Sequence, residues 1–242
     1  RFAQVMSLSA FIVDGTMTWS NNVTTNREFD SQSNGANHSA ILGQDNRIYF
    51  CDGRYITSFA EVAAFVPTDT ATYTWTTKAL TLPGTSITQC LEELGVNLLI
   101  GDKASNYIYQ WDRTSTNFSI PIRCPEDNIW KMLNINNTVY VLAGEKGIVY
   151  STQGYNCDIF RKLPEYVTGG QVTWGGMERV NGHIVFGVVG YRAETGTSVN
   201  GGVYKIFLHT LKPGTFVIDQ TPVTGTETVV VNLILSNDAD SY

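Results

Sequence analysis

The chain has 242 residues, a formal net charge of −6 and only 16% charged residues, against 43% hydrophobic and 12% aromatic residues. Disordered chains are charge-rich and aromatic-poor, and collagens or coiled coils carry far more proline or a sustained heptad, so these classes are excluded. With 16 Lys and Arg against 22 Asp and Glu, the chain lacks the basic excess that phosphate neutralisation needs, and no nucleic-acid partner is expected.

Taken in order, 6–19 reads as two strands around a turn at Asp14-Gly15, and 20–37 is polar and linker-like. From residue 38 a pattern recurs. Asn46, Asn97, Asn137 and Asn181 each precede a short aliphatic or aromatic run closed by a glycine-containing turn, roughly every 45 residues. Each copy has flanking runs of strand character. The first has 38–43, the run from Asn46, 54–59 and 75–82. The second has 86–91, the run from Asn97, 107–111 and 118–122. The third has 128–135, the run from Asn137, 148–152 and 157–163. The fourth has 171–177, the run from Asn181, 203–207 and a last run near 215–219, and 226–235 begins one more strand. Helical spacing is almost absent; 58–66 alone could make two helical turns before Pro67.

A lone four-stranded meander exposes two faces and cannot bury a core, whereas radial stacking covers each sheet with its neighbours. The expected fold is therefore all-β, a β-propeller of four-stranded blades with about five blade equivalents in a single domain over 1–242. The blades are placed at 38–83, 86–122, 128–164 and 171–222, with partial blades at 1–30 and 226–242. The competing β-sandwich would need the motif and its three flanking strands to recur by coincidence. Asparagine before each core strand suits a tight turn, because it tolerates positive φ. The chain opens at Arg1 inside a patterned segment, which reads as a processed product or a piece of a longer chain.

Cys51, Cys90, Cys124 and Cys157 form no C-x-x-C pair. Most lie in apolar runs where cysteine behaves as a small hydrophobe, so four partly buried free thiols are expected, with two disulfides as the alternative for a secreted protein. Sequons stand at Asn22, Asn37, Asn117 and Asn136, about as many as chance gives. No apolar run approaches the ~18 residues of a membrane span.

Candidate chemistry is sparse. His38, His183 and His209 are far apart, and no metal pairing, nucleophile elbow or phosphate loop occurs, so neither metal nor cofactor nor enzymatic activity is expected. Arg54, Arg113, Arg123 and Arg179 are among the arginines available for anion binding, yet no spacing singles out a set. Asp238 and Asp240 lack the glycine and distal glutamate of a calcium loop. The longest irregular stretch, 190–202, offers Tyr191 and Arg192 as contact residues, since loops at a propeller face are where contacts are made.

Two turns resemble the aspartate box of sialidase-like propellers. I-V-D-G-T-M-T-W at 12–19 keeps Asp14, Gly15, Thr18 and Trp19 but has Ile12 for serine; Y-S-T-Q-G-Y-N-C at 150–157 keeps Ser151 and Gly154 but has Gln153 for aspartate. In that family the box is structural and remote from catalysis. The body from about 38 to 210 resembles propeller modules of tailed-phage virion proteins. The residues that carry this are Q-D-N-R-I-Y-F-C-D-G-R-Y-I-T-S at 44–58, L-E-E-L-G-V-N-L-L-I-G at 91–101, I-Y-Q-W-D-R at 108–113 and G-E-K-G-I-V-Y-S-T-Q-G at 144–154. Trp111-Asp112 resembles the pair that names WD repeats but occurs once, without its companion Gly-His.

The phage resemblance implies a structural or binding component of a tail, nozzle or fibre, located in the virion. Its partners would be other virion proteins, copies of itself or a host-surface glycan. The alternative implied by the aspartate boxes is a secreted glycan-binding or sialidase-like propeller.

Overall fold

The computed structural model describes residues 4–6, 19–21, 39–61, 73–163, 171–192 and 198–208. These form β-strands only, in successive antiparallel meanders. A short pair comes first, β1 (Gln4–Met6) with β2 (Trp19–Asn21), registered Met6 to Trp19. Sheet I follows with β3 (Ala40–Leu42), β4 (Arg47–Asp52), β5 (Tyr55–Glu61) and β6 (Tyr73–Thr81). Sheet II holds β7 (Thr88–Leu94), β8 (Asn97–Asp102), β9 (Tyr107–Trp111) and β10 (Ile122–Arg123). Sheet III holds β11 (Ile129–Ile135), β12 (Thr138–Ala143), β13 (Ile148–Thr152) and β14 (Asp158–Lys162). Sheet IV has three described strands, β15 (Gln171–Val180), β16 (His183–Arg192) and β17 (Ser198–Phe207).

Turn chemistry sets these hairpins. Asn46, Asn136, Asn137 and Asn181 all take positive φ (58°, 52°, 63° and 48°), as does Gly182 (74°). Asn136-Asn137 and Asn181-Gly182 thus have both central residues left-handed, the arrangement whose twist matches the flanking strands. The second sheet departs from the motif: Asn97 already lies in β8, and Gly95 (φ 57°) takes the strained position. One hydrogen-bond scheme then repeats from sheet to sheet. The N–H groups of Thr88, Asn128 and Val172 donate to the carbonyls of Gly53, Ser105 and Glu145, joining each sheet's start to a turn of the sheet before. Those of Leu82, Cys124 and Leu163 donate to Arg54, Asn106 and Gly147, closing each sheet's fourth strand onto its third.

The core is a series of layers between sheets. Strand periodicity of two sends alternate residues to opposite faces. In β8, Leu98 and Ile100 face sheet I, meeting Tyr49, Ile56 and Leu80, whereas Leu99 joins Ile129, Val139 and Val141 on the side of sheet III. In β12, Val139 and Val141 face sheet II, and Tyr140 and Leu142 pack with Trp174, Ile184 and Phe186 of sheet IV. Each inner sheet is covered on both faces, which explains its near-continuous apolar runs. The first strands β7, β11 and β15 lie beside one another along the series. At Gly101 sheets II and III approach so closely that a Cβ would stand 2.6 Å from Cys90 Sγ and 2.8 Å from Ile129 Cγ2.

Three expectations are corrected. The fourth strand placed at 118–122 shrinks to Ile122–Arg123, because Phe118 packs edge-on against Tyr109 at 4.7 Å as a loop anchor. The helical reading of 58–66 fails over its described part: β5 stays extended to Glu61, paired on both sides, with Ser58 opposite Tyr49 and Thr76. The irregular stretch at 190–202 is mostly strand, since β16 runs to Arg192 and β17 starts at Ser198. The expected runs at 215–219 and 226–242 lie outside the described residues.

Candidate binding groove between the first two sheets

Where the β3–β4 turn of sheet I meets the β9–β10 turn of sheet II, the surface opens into a groove of about 710 Å³, within the range of ligand sites. Gly43 lets the first turn fold in, since a Cβ there would stand 2.6 Å from Asp45 Oδ1 and 2.8 Å from the Tyr49 ring. Asp45 accepts a hydrogen bond from the Tyr49 hydroxyl at 2.6 Å and from the Arg47 N–H at 3.3 Å. Burial first, then this carboxylate, pushes the Tyr49 hydroxyl well above its ordinary range, so it stays a donor. Arg47 spans three strands, its Nη2 donating to Ser58 Oγ at 3.2 Å and to Thr76 Oγ1 at 3.1 Å.

The opposite wall comes from sheet II. Asp112 accepts from the N–H groups of Thr114 (2.9 Å) and Ser115 (2.7 Å) and from the Ser115 hydroxyl (2.6 Å). The Ser115 hydroxyl first, then the two N–H groups, holds its carboxyl down to about 2. This Asx turn fixes Arg113 at φ 68° and lets Trp111 Nε1 donate to Ser115 O at 2.7 Å. Arg113 donates through Nη1 to Val96 O at 3.1 Å and pairs through Nη2 with Glu93. Its guanidinium also lies over the Tyr49 ring, 5.8 Å from the centroid. The Arg113 side chain is only 9% exposed, and its Nε has no partner. Glu93 accepts as well from Gln44 N–H at 3.0 Å, stitching the two walls together.

The groove is thus a cleft of mixed apolar and polar surface between the two sheets. Its carboxylates each already accept two or three hydrogen bonds, while guanidinium edges and the hydroxyls of Thr76, Thr114 and Thr116 border the open space. Such a surface can exchange hydrogen bonds with a hydroxyl-rich or peptide-like group. Among the described residues, no cluster of His, Cys, Asp or Glu is arranged to hold a metal ion. The buried carboxylates serve the fold, Asp52 accepting from the Thr57 hydroxyl. Asp102 accepts from Ile87 N–H, Ala104 N–H and Ser105 Oγ; Glu126 accepts from Tyr150 OH and from the N–H groups of Glu145 and Lys146.

The residues singled out in the sequence lie elsewhere. Tyr191 and Arg192 end β16, opposite Val199 and Ser198 of β17. Ser151 is in β13 opposite Tyr140, and Gly154 is in the turn after it. That turn is organised by Thr152, whose hydroxyl accepts from Gly154 N–H and donates to Asn156 O at 2.8 Å. Trp19 lies in β2, and Asp14, Gly15 and Thr18 fall outside the described residues. Nothing in the sequence groups Asp45, Arg47, Trp111 and Arg113 as a set. The one local signal was Asp112 three residues before Ser115, the spacing of an Asx turn. All four cysteines are buried and free, as expected.

No family model and no curated protein matches the chain. Solved structures with similar arrangements include the computationally designed Ika4 protein, with 14% identity, TM-score 0.43, and coverage of 75% of this chain and 99% of that one. A chain of the mitotic checkpoint complex has 8% identity, TM-score 0.44, and coverage of 71% and 65%. A protein of unknown function from Bacteroides caccae has 11% identity, TM-score 0.42, and coverage of 70% and 62%. Likenesses this distant bear on neither the function nor the finer fold of this chain.

Proposed function

We propose that the sheets are blades of a β-propeller and that the chain is a structural or binding component of a phage-type virion. In this reading the packed blades form a rigid frame, and the turns between strands contact neighbouring subunits, further copies of the chain or a host surface. The observation that carries it is the sheet-to-sheet hydrogen-bond scheme, which sets successive sheets in one repeated relation. Radial stacking would continue that relation without leaving exposed edges. The low charge of the chain suits surface taken up by neighbours, because interface centres are depleted in charge. The test is gradient purification of particles from the source, followed by immunogold labelling against this chain. Co-migration and labelled particles are expected; a chain found only in the particle-free fraction overturns the assignment.

A second reading, a secreted glycan-binding propeller, rests on the groove and its donor-rich border. Glycan-array binding that disappears in Arg47→Ala would favour it over the virion reading.

A further inference from the structure

Cys124 and Cys157 belong to different sheets, yet the fold sets them side by side. Arg123 N–H donates to Tyr155 O and Cys157 N–H donates to Arg123 O, both at 2.9 Å, which makes Arg123 and Asn156 a parallel bridge between sheets II and III. One step on, this register puts Cys124 opposite Cys157. Parallel neighbours stand about 4.8 Å apart, inside the Cα separation that a disulfide accepts. Paired residues of a parallel bridge also send their side chains to the same face, and both cysteines are in the same buried cluster. Cys124 is clamped further: its N–H donates to Asn106 O at 2.8 Å and its carbonyl accepts from Asn106 Nδ2 at 2.9 Å.

We propose that Cys124 and Cys157 form an oxidative cross-linking site that joins sheet II to sheet III, with hydrogen peroxide as the class of oxidant. The two thiols are 1% and 5% exposed, so a small reagent suits the site. Their interaction lowers the Cys124 thiol and raises that of Cys157, and in the proposed step Cys124 is the sulfur oxidised first. Its thiolate takes one peroxide oxygen and releases hydroxide, giving a sulfenic acid. The Cys157 sulfur then attacks the Cys124 sulfur and expels the oxygen it had taken up as water, the Cys157 proton going to that leaving hydroxyl, while the released hydroxide takes up the proton Cys124 gave up. Two thiols and one peroxide become one disulfide and two waters; both sulfurs are oxidised and both peroxide oxygens reduced.

The other two cysteines are an internal control. Cys51 sits in the layer between sheets I and II, whereas Cys90 faces sheet III, its thiol donating to Ile129 O at 3.7 Å. They pack into different apolar layers, and no link between them is expected. Burial, the first cause, pushes the Cys51 thiol up to about 12 and also raises Cys90, so neither offers a thiolate for peroxide to oxidise first.

The experiment treats the folded chain with hydrogen peroxide, alkylates remaining thiols under denaturing conditions and maps the peptides by mass spectrometry. A linked peptide pair joining Cys124 to Cys157, lighter by two hydrogens and reversed by dithiothreitol, is expected, with Cys51 and Cys90 fully alkylated. Four alkylated cysteines, a link through Cys51 or Cys90, or sulfinic acid at Cys124 without a link overturns the proposal. Cys157→Ser adds a second readout, since Cys124 should then stop at a sulfenic acid that dimedone traps. The wild-type peptide map decides if that variant does not fold.

Discussion

Single side chains hold the ends of these sheets through saturated hydrogen bonding. Glu126 satisfies three donors at once: the Tyr150 hydroxyl at 2.6 Å and the N–H groups of Glu145 and Lys146 at 3.1 and 3.2 Å. Glu126→Ala takes the acceptor from all three, leaving the buried Tyr150 hydroxyl and two part-buried N–H groups without it, and should cost about 3 kcal/mol. Tyr150→Phe removes one bond and should cost about 1 kcal/mol. Urea unfolding of both variants measures the difference, and equal losses would refute the shared role. Glu92 behaves oppositely. Burial raises its carboxyl to about 7, with Glu178 and Glu93 adding like charge, against the pull of the Glu93 N–H. The folded chain therefore keeps this proton at pH values where the unfolded chain has lost it. The stabilisation is whole below about pH 4.5, falls as pH rises through 7 and is gone above it. Its size is on the order of 2–3 kcal/mol, and Glu92→Gln should flatten stability across that window. An unchanged pH slope in that variant would assign the effect elsewhere.

Elements here are set by their turns as much as by their strands. Gly144 and Gly95 have nearly the same left-handed φ, 62° and 57°. A methyl group at Gly95 meets open space, whereas at Gly144 it would collide with the Glu126 side chain. Gly95→Ala should cost about 1 kcal/mol, the conformational term alone. Gly144→Ala should cost about 3 kcal/mol or more, because it also breaks the carboxylate cradle; thermal melts of the two variants give the comparison. Turn chemistry also decided what could be read from the sequence. β9 and β13 match their expected bounds because each is an aliphatic-aromatic run cut cleanly by polar residues. Asn46, Asn137 and Asn181 marked turns through their own backbone preference. The reading failed at 118–122, where an apolar signal came from a loop side chain packing, and at 58–61, where pairing with β4 and β6 overrode helical spacing. The groove was illegible for another reason. Its two walls are far apart in the chain, and only the stacking of sheets I and II brings Arg47 and Arg113 to one cleft.

At the scale of the whole molecule, apolar layers and sheets alternate, each layer shared by one pair of neighbouring sheets. Leu98 belongs to the layer between sheets I and II, and Leu142 to that between sheets III and IV. Each Leu→Ala change should cost about 3 kcal/mol. With a complete layer between them, the double variant should lose the sum to within about 0.5 kcal/mol. A larger coupling in denaturant titrations would mean that the layers communicate through the sheets rather than standing as nearest-neighbour units.

The bonds from Thr88, Asn128 and Val172 to the preceding sheets carry a mechanical consequence. They are in series along the row of first strands, and at the junction of sheets II and III the Arg123–Asn156 bridge adds two more. A load drawing sheet I away from sheet IV reaches every junction, and the weakest yields first. Yielding there leaves each four-stranded meander's own ladder intact, so the molecule lengthens in sheet-sized steps, as a chain of clasps opens.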